Sequence, residues 1–247
     1  NSNYYGGNNI LNAFSSFFEP GEGWGGSNNN GANGFTLNIA VPTPNAFTGA
    51  GAPPVAFHGK SMANSNANFT GQGNHHLRWE VGASNQQLYS EIFIGIRQTI
   101  VNETFSPNLL SSPNTNVAFR IIGDQGAATD FQSVHYLHLD YPRQPNIGNL
   151  TYNEFWVENN PIQAKIRLDL TASNLNNPAC YVFEGNVPRR IPMVNNGGVW
   201  QLLIPNSTVG TRQKVVIASQ NQIQNITSLT PVNGNGQFTN FNNVNFE

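Results

Sequence analysis

The sequence predicts an all-β chain, a jelly-roll-like antiparallel β-sandwich preceded by an N-terminal tail, and three observations lead there. Strand-length apolar runs alternate with a period of two, clusters of Asn and Gly separate them, and no long helical repeat competes. The first run starts after Gly34. Phe35, Leu37, Ile39 and Val41 alternate with Thr36, Asn38 and Ala40, as in a strand with one buried face. A Pro/Gly-rich loop follows, and further strand-like runs lie near 75–82, 89–101, 117–122, 132–141, 152–158, 163–171, 179–184, 198–204, 213–219 and 236–246. Turn signals stand between them, including Asn195-Asn196-Gly197-Gly198 and Asn233-Gly234-Asn235-Gly236, where Asn and Gly tolerate positive φ. Packing sheet on sheet buries so many alternating faces most simply. The pattern predicts a single sandwich domain over residues 35–247, with no visible boundary for a second.

Composition supports a packed domain with an unusual surface. Apolar residues make up 38% of the 247, including 16 Phe, 7 Tyr and 4 Trp, which is ample for a core. Charged residues are only 10%, against about 25% in an average soluble protein. Lys60, Lys165 and Lys214 are the only lysines, while about one residue in six is Asn. Polarity without charge suits a surface that also carries sugar. A net charge of −2 with no Lys/Arg cluster offers no field or stripe for nucleic acid. That argues against a coat protein with a basic packaging arm, though not against a neutral-interior capsid. Cys180, the sole cysteine, sits in the strand-like run Ala-Cys-Tyr-Val-Phe and reads as a small buried hydrophobe, so no disulfide is expected. No apolar run approaches the roughly 20 residues of a transmembrane helix. The lack of a signal-peptide pattern leads to the expectation of a mature form.

Residues 1–34 are set apart as a tail or docking segment, with Asn/Gly-rich stretches around an apolar patch. Ile10, Phe14 and Phe17 share one face of a short helix, and an extended segment could use the same side chains. Ile10, Leu11, Phe14, Phe17 and Phe18 are the candidate anchors for docking on a neighbouring subunit. Packing on the chain's own domain is the plainer alternative.

Five Asn-x-Ser/Thr sequences begin at Asn68, Asn102, Asn149, Asn206 and Asn225, and their spread favours a coat of covalent glycans over one local tag. The charged residues gather on strands. Alternation puts Glu91, Phe93 and Arg97 on one face, and likewise His76, Arg78 and Glu80; Tyr136, His138 and Asp140; and Lys165, Arg167 and Asp169. Side by side, such strands would form a polar sheet face. It reads first as a ladder of cross-strand ion pairs, worth about 0.2–1 kcal/mol each, and second as a carbohydrate face built on Arg78, Glu91, Arg97, Arg120, Tyr136 and His138.

The run Leu88-Tyr89-Ser90-Glu91-Ile92-Phe93-Ile94, with Phe105-Ser106-Pro107-Asn108, resembles concanavalin-type jelly rolls among carbohydrate-binding modules and polysaccharide lyases. That resemblance implies a base such as His138 or Tyr136 beside a neutralising Arg78, Arg97 or Arg120. In composition and layout the whole chain resembles the jelly-roll subunits of glycosylated extracellular fibrils.

Other catalytic patterns fail. His58-Gly59-Lys60-Ser61 imitates the end of a phosphate loop, but Pro54 stands where the upstream glycine belongs, so a turn is expected there. The adjacent His75 and His76 should point to opposite faces of a strand, as should His135 and His138, so neither pair makes a metal clamp. No Gly-x-Ser-x-Gly elbow or Ca²⁺-loop consensus occurs, and no cofactor, metal site or catalytic residue is assigned.

The expected function is therefore a non-enzymatic structural subunit of an extracellular or particle-surface assembly. It would polymerise with copies of itself by tail or strand docking and carry covalent glycans, without nucleic acid or a membrane span. The alternatives are a carbohydrate-binding or polysaccharide-lyase-like protein using the charged face and aromatics such as Trp24, Trp79 or Trp156, and a neutral-interior capsid or spike jelly roll.

Overall fold

The computed structural model describes residues 3–5, 23–172, 174–224 and 226–228. The chain divides into two compact units, Asn1–Gln144 and Pro145–Glu247, each with its own hydrophobic core. The period-two pattern runs through both, so alternation alone does not mark the division. It falls at Pro142-Arg143-Gln144-Pro145, where two prolines lack the N–H a ladder needs.

In the first unit the strands are β1 (Asn3–Tyr5), β2 (Gly23–Gly25), β3 (Asn29–Asn30), β4 (Phe35–Pro42), β5 (Val55–Ala63), β6 (His75–Val81), β7 (Gln86–Phe93), β8 (Arg97–Phe105), β9 (Asn114–Ile121) and β10 (Phe131–Asp140). β3 to β10 form two four-stranded sheets, ordered β3-β10-β5-β8 and β4-β9-β6-β7, with every pairing antiparallel. This winding of eight strands into two interleaved sheets is the jelly-roll order. Val55, Phe57, Val101, Phe105 and Leu139 from one sheet meet Leu77, Trp79, Val81, Val117, Phe119 and Ile121 from the other. At the centre, the fully buried Trp79 ring lies 5.3 Å from Phe57 edge-on and 4.9 Å from Phe119.

Local sequence explains the details. Gly59 lies inside β5, so His58-Gly59-Lys60-Ser61 is strand and not the expected turn. A Cβ on Gly59 would stand 2.8 Å from the Phe57 ring and 3.3 Å from Trp79, so glycine there makes room for the aromatic centre. Gly82 and Asn85 take positive φ in the turn between β6 and β7. The segment assigned by composition to the tail is partly bound to the unit. β1 pairs with β2, β3 joins β10, and the Gly26 and Gly31 amides donate to Val134 and Asp130 carbonyls.

The second unit holds β11 (Asn146–Gly148), β12 (Tyr152–Glu158), β13 (Lys165–Ala172), β14 (Ala179–Glu184), β15 (Val187–Ile191), β16 (Val194–Asn196), β17 (Val199–Pro205) and β18 (Arg212–Ala218). Its sheets run β11-β13-β17-β16 and β12-β18-β14-β15, with β11–β13 parallel. Leu170, Leu202 and Ile204 from one face Cys180, Val182, Val215 and Ile217 from the other. Gly197 and Gly198 supply the positive φ of the predicted β16–β17 turn. Cys180 is buried, as expected from its run, and burial pushes its thiol up to about 12.

Candidate functional site

The site is built on the outer face of the β4-β9-β6-β7 sheet. Leu77, Trp79 and Val81 enter the core, so the pleat turns His76, Arg78 and Glu80 outward from β6. Pairing then sets a row of four across the strands: Thr36, Arg120, Arg78 and Ser90. Glu80 Oε1 joins the row's two cations, 3.2 Å from Arg120 Nη1 and 3.6 Å from Arg78 Nη1. The buried carboxylate thereby holds two guanidinium groups of like charge side by side.

Beside them runs a second chain of contacts. His76 Nε2 lies 2.9 Å from Ser90 Oγ, and His76 Nδ1 lies 2.9 Å from both carboxylate oxygens of Asp124. Asp124 comes from the loop after β9. That loop passes so close to residues 32–34 that a Cβ on Gly123 would stand 2.5 Å from the Ala32 carbonyl oxygen and the Gly34 nitrogen. Gln125 Nε2 donates to Asp124 Oδ1 at 2.7 Å. Partial burial alone would raise the Asp124 carboxyl, but hydrogen bonds from Gln125 and His76 outweigh it and hold the group below its usual range. A carboxylate on Nδ1 fixes the imidazole with Nδ1–H, leaving the Nε2 lone pair for the serine hydroxyl.

His75 points the other way, as two adjacent strand residues must. Its ring is fully buried, with Nδ1 2.6 Å from Asp130 Oδ1 and Nε2 2.8 Å from the Ser65 carbonyl. Gln132 Nε2 also donates to Asp130 Oδ1 at 2.8 Å. This inner network ties β6 to the loop before β10 beneath the outer face.

The six residues expected to form one carbohydrate face are not together. Arg78 and Arg120 share the outer face just described. Glu91 and Arg97 instead form an ion pair between β7 and β8, the facing edges of opposite sheets, with the Arg97 guanidinium 4.1 Å over the Phe93 ring. Tyr89 donates to Glu91 at 2.8 Å, and burial together with that carboxylate pushes its hydroxyl up to about 12. Tyr136 and His138 belong to β10, on the outer face of the other sheet. Outer faces of two stacked sheets look away from each other, so neither can act as a base beside Arg78 or Arg120. His138 instead bonds Asp140 at 2.9 Å and faces His58, whose Nδ1 is 2.7 Å from Asn102 Oδ1. Arg167 and Asp169 pair at 2.9 Å on β13 of the second unit.

Among the acceptor asparagines, Asn68, Asn102 and Asn149 are exposed. Asn206 is engaged: Nδ2 donates to the Asn160 and Gln163 carbonyls at 2.8 and 2.9 Å, and Thr208 of the same sequon donates to Glu184. Asn225 and the anchors Ile10, Leu11, Phe14, Phe17 and Phe18 lie outside the described residues, as do the Trp24 side chain, the 236–246 run and its preceding turn. Trp79 is core, not an exposed aromatic. Trp156 is exposed on β12 and, with Phe183, Asn186, Val209, Arg212 and Lys214, lines an open groove of about 420 Å³. Among the described residues no group of three His, Cys, Asp or Glu side chains could hold a metal ion, and no helix is long and apolar enough to cross a membrane.

Sequence reasoning placed His76, Arg78 and Glu80 on one face but missed Ser90 and Asp124. The short turn between the first two strand runs after residue 74 could have placed Ser90 opposite Arg78. Nothing local could have placed Asp124.

No protein-family model matches the chain, and no curated protein matches it. Among solved structures it is similar to dimeric latent PorU from Porphyromonas gingivalis, with a TM-score of 0.47 and 12% identity. The similarity covers 81% of this chain and 19% of that one.

Proposed function

We propose that the protein is a structural subunit of an extracellular glycosylated filament or surface assembly, joined through strand or tail docking between copies, a role that requires no catalysis. The edge strand β4 carries this reading. It pairs with β9 on one side, and among the described residues no strand pairs with its other side. No charged residue or histidine lies between Glu22 and His58, so β4 has no edge lysine to repel another strand. Phe35, Leu37, Ile39 and Val41 pack against the core yet stay half exposed. A strand from a second copy would gain main-chain hydrogen bonds and cover these four side chains. The apolar segment with Ile10, Leu11, Phe14, Phe17 and Phe18 has the composition to supply that strand. Glycans on the exposed Asn68, Asn102 and Asn149 would hydrate a surface poor in charge.

The test is negative-stain imaging and sedimentation of the full chain against Asn38→Lys/Ala40→Lys. Both positions face solvent on β4, so folding should be kept. At about 1 kcal/mol per charged edge position, the concentration needed for assembly should rise about 30-fold. Deleting residues 1–20 should abolish assembly while leaving a folded β protein. A wild-type chain that stays monomeric, or variants that assemble undiminished, would remove docking from the account. A second reading, sugar binding, is favoured by the exposed Trp156 groove, and a monomer retained on a polysaccharide column would support it. Closed shells would favour the neutral-interior capsid or spike alternative, which the jelly-roll order suits.

A further inference from the structure

We infer that Ser90 is an activated nucleophile that cleaves small carboxylic esters, with His76 as its base and Asp124 as the residue that positions His76. The inference is independent of the assembly role and rests on the second chain of contacts described above.

Three features carry it. The order Ser90 Oγ to His76 Nε2 to His76 Nδ1 to Asp124 matches what deprotonation of a hydroxyl needs, at 2.9 Å for each link. A serine held only for structure could bond any neighbour; here the carboxylate selects the tautomer that accepts the serine proton. Ser90 also lies on a solvent-facing sheet surface, only partly buried, so an ester carbonyl can approach Oγ. The third feature is a cation beside the nucleophile. Arg78 is the direct cross-strand neighbour of Ser90, and its side chain is partly exposed. An oxyanion forming on a carbonyl bound at Ser90 would develop its charge next to that guanidinium, which Glu80 anchors through Nη1.

The steps balance. Ser90 Oγ forms a bond to the carbonyl carbon as its proton passes to His76 Nε2. The tetrahedral adduct then collapses, the C–O bond to the alcohol breaks, and His76 returns the proton to the leaving alkoxide. Water attacks the acyl-Ser90 ester with His76 again taking the proton, the carboxylic acid departs, and the Ser90 hydroxyl is restored. Arg78 and Arg120 are balanced by Glu80 and Asp124, so the site has no net charge and suits small neutral esters.

The experiment uses the full chain with a fluorophosphonate probe, mapped by peptide mass spectrometry, and with 4-nitrophenyl acetate hydrolysis. Ser90 should be the labelled residue, and Ser90→Ala should abolish both labelling and hydrolysis with an unchanged melting curve. His76→Gln should slow both by about 100-fold or more. Asp124→Asn should slow hydrolysis and change its pH profile, a readout that a merely structural contact would leave alone. Label absent from Ser90, or a wild-type rate no higher than that of Ser90→Ala, overturns the inference. If His76→Gln does not fold, the Ser90→Ala comparison decides alone.

Discussion

Replacing Trp79 separates what its ring contributes from what its indole nitrogen costs. The side chain is fully buried between Phe57 and Phe119, and its Nε1–H has no hydrogen-bond partner among the described residues. Trp79→Ala deletes the ring and leaves a cavity between two aromatics, which should cost about 3–5 kcal/mol. Trp79→Phe keeps an aromatic ring between the same neighbours and loses a smaller volume. It also removes an unpaired buried donor, whose desolvation penalty is about 1–3 kcal/mol. The two effects oppose, so Phe should cost less than about 2 kcal/mol and could approach zero. At about 4 °C per kcal/mol for a unit of this size, the gap of about 1–5 kcal/mol separates the variants by about 4–20 °C in melting temperature. Calorimetry of the full chain reads it, with the transition of the first unit moving and that of the second, which has its own core, staying in place. If Phe proves as costly as Ala, the indole N–H is satisfied in solution and the accounting is wrong.

Removing the Asp130 carboxylate should be more damaging than any surface ion-pair change. Asp130→Ala leaves His75 buried without its partner at 2.6 Å and strands Gln132, so denaturant unfolding should show a loss of about 3–5 kcal/mol, whereas Arg167→Ala on exposed β13 should leave the unfolding curve nearly unchanged. Tyr89 is raised from 10.0 to about 12, so the folded first unit holds that proton more tightly than the unfolded chain. The contribution is therefore full below pH 10 and is lost as pH rises toward 12; Tyr89→Phe should flatten that part of a stability-against-pH curve. Cys180 should resist a disulfide reagent at pH 8 until the second unit unfolds, and rapid reaction in native buffer would contradict its burial. Peptide mapping should find glycan at Asn68, Asn102 or Asn149 but not Asn206, and Asn206→Ala should destabilise the second unit by about 0.5–1.5 kcal/mol because its bonds to the Asn160 and Gln163 carbonyls are replaced by bonds to water.

Much of the fold was legible because strand alternation is local. Phe35, Leu37, Ile39 and Val41 turn toward the core as their spacing says, His75 and His76 part to opposite faces, and the Gly197-Gly198 turn joins two strands. The site was legible only as far as one strand reaches. His76, Arg78 and Glu80 do share a face, but Tyr136 and His138, which carry an equally clear alternation, lie on the other sheet. Alternation fixes which side of its own strand a residue takes and says nothing of which strand lies next to it. His58-Gly59-Lys60-Ser61 misled for a related reason, since a glycine that makes room for Phe57 looks in the sequence like one that makes a turn.

By itself the sequence determined that this protein is all-β, poor in charge, and built on strands with one apolar face, because those properties follow from composition and from a two-residue period. Tertiary structure decided the division at residue 144, the jelly-roll order of the first unit and the place of β4 at the end of its sheet among the described residues. It also decided the meeting of Ser90, His76 and Asp124 and the parting of Arg120 from His138. These depend on pairings between segments tens of residues apart, selected by the joint burial of two sheets rather than by any residue's immediate neighbours.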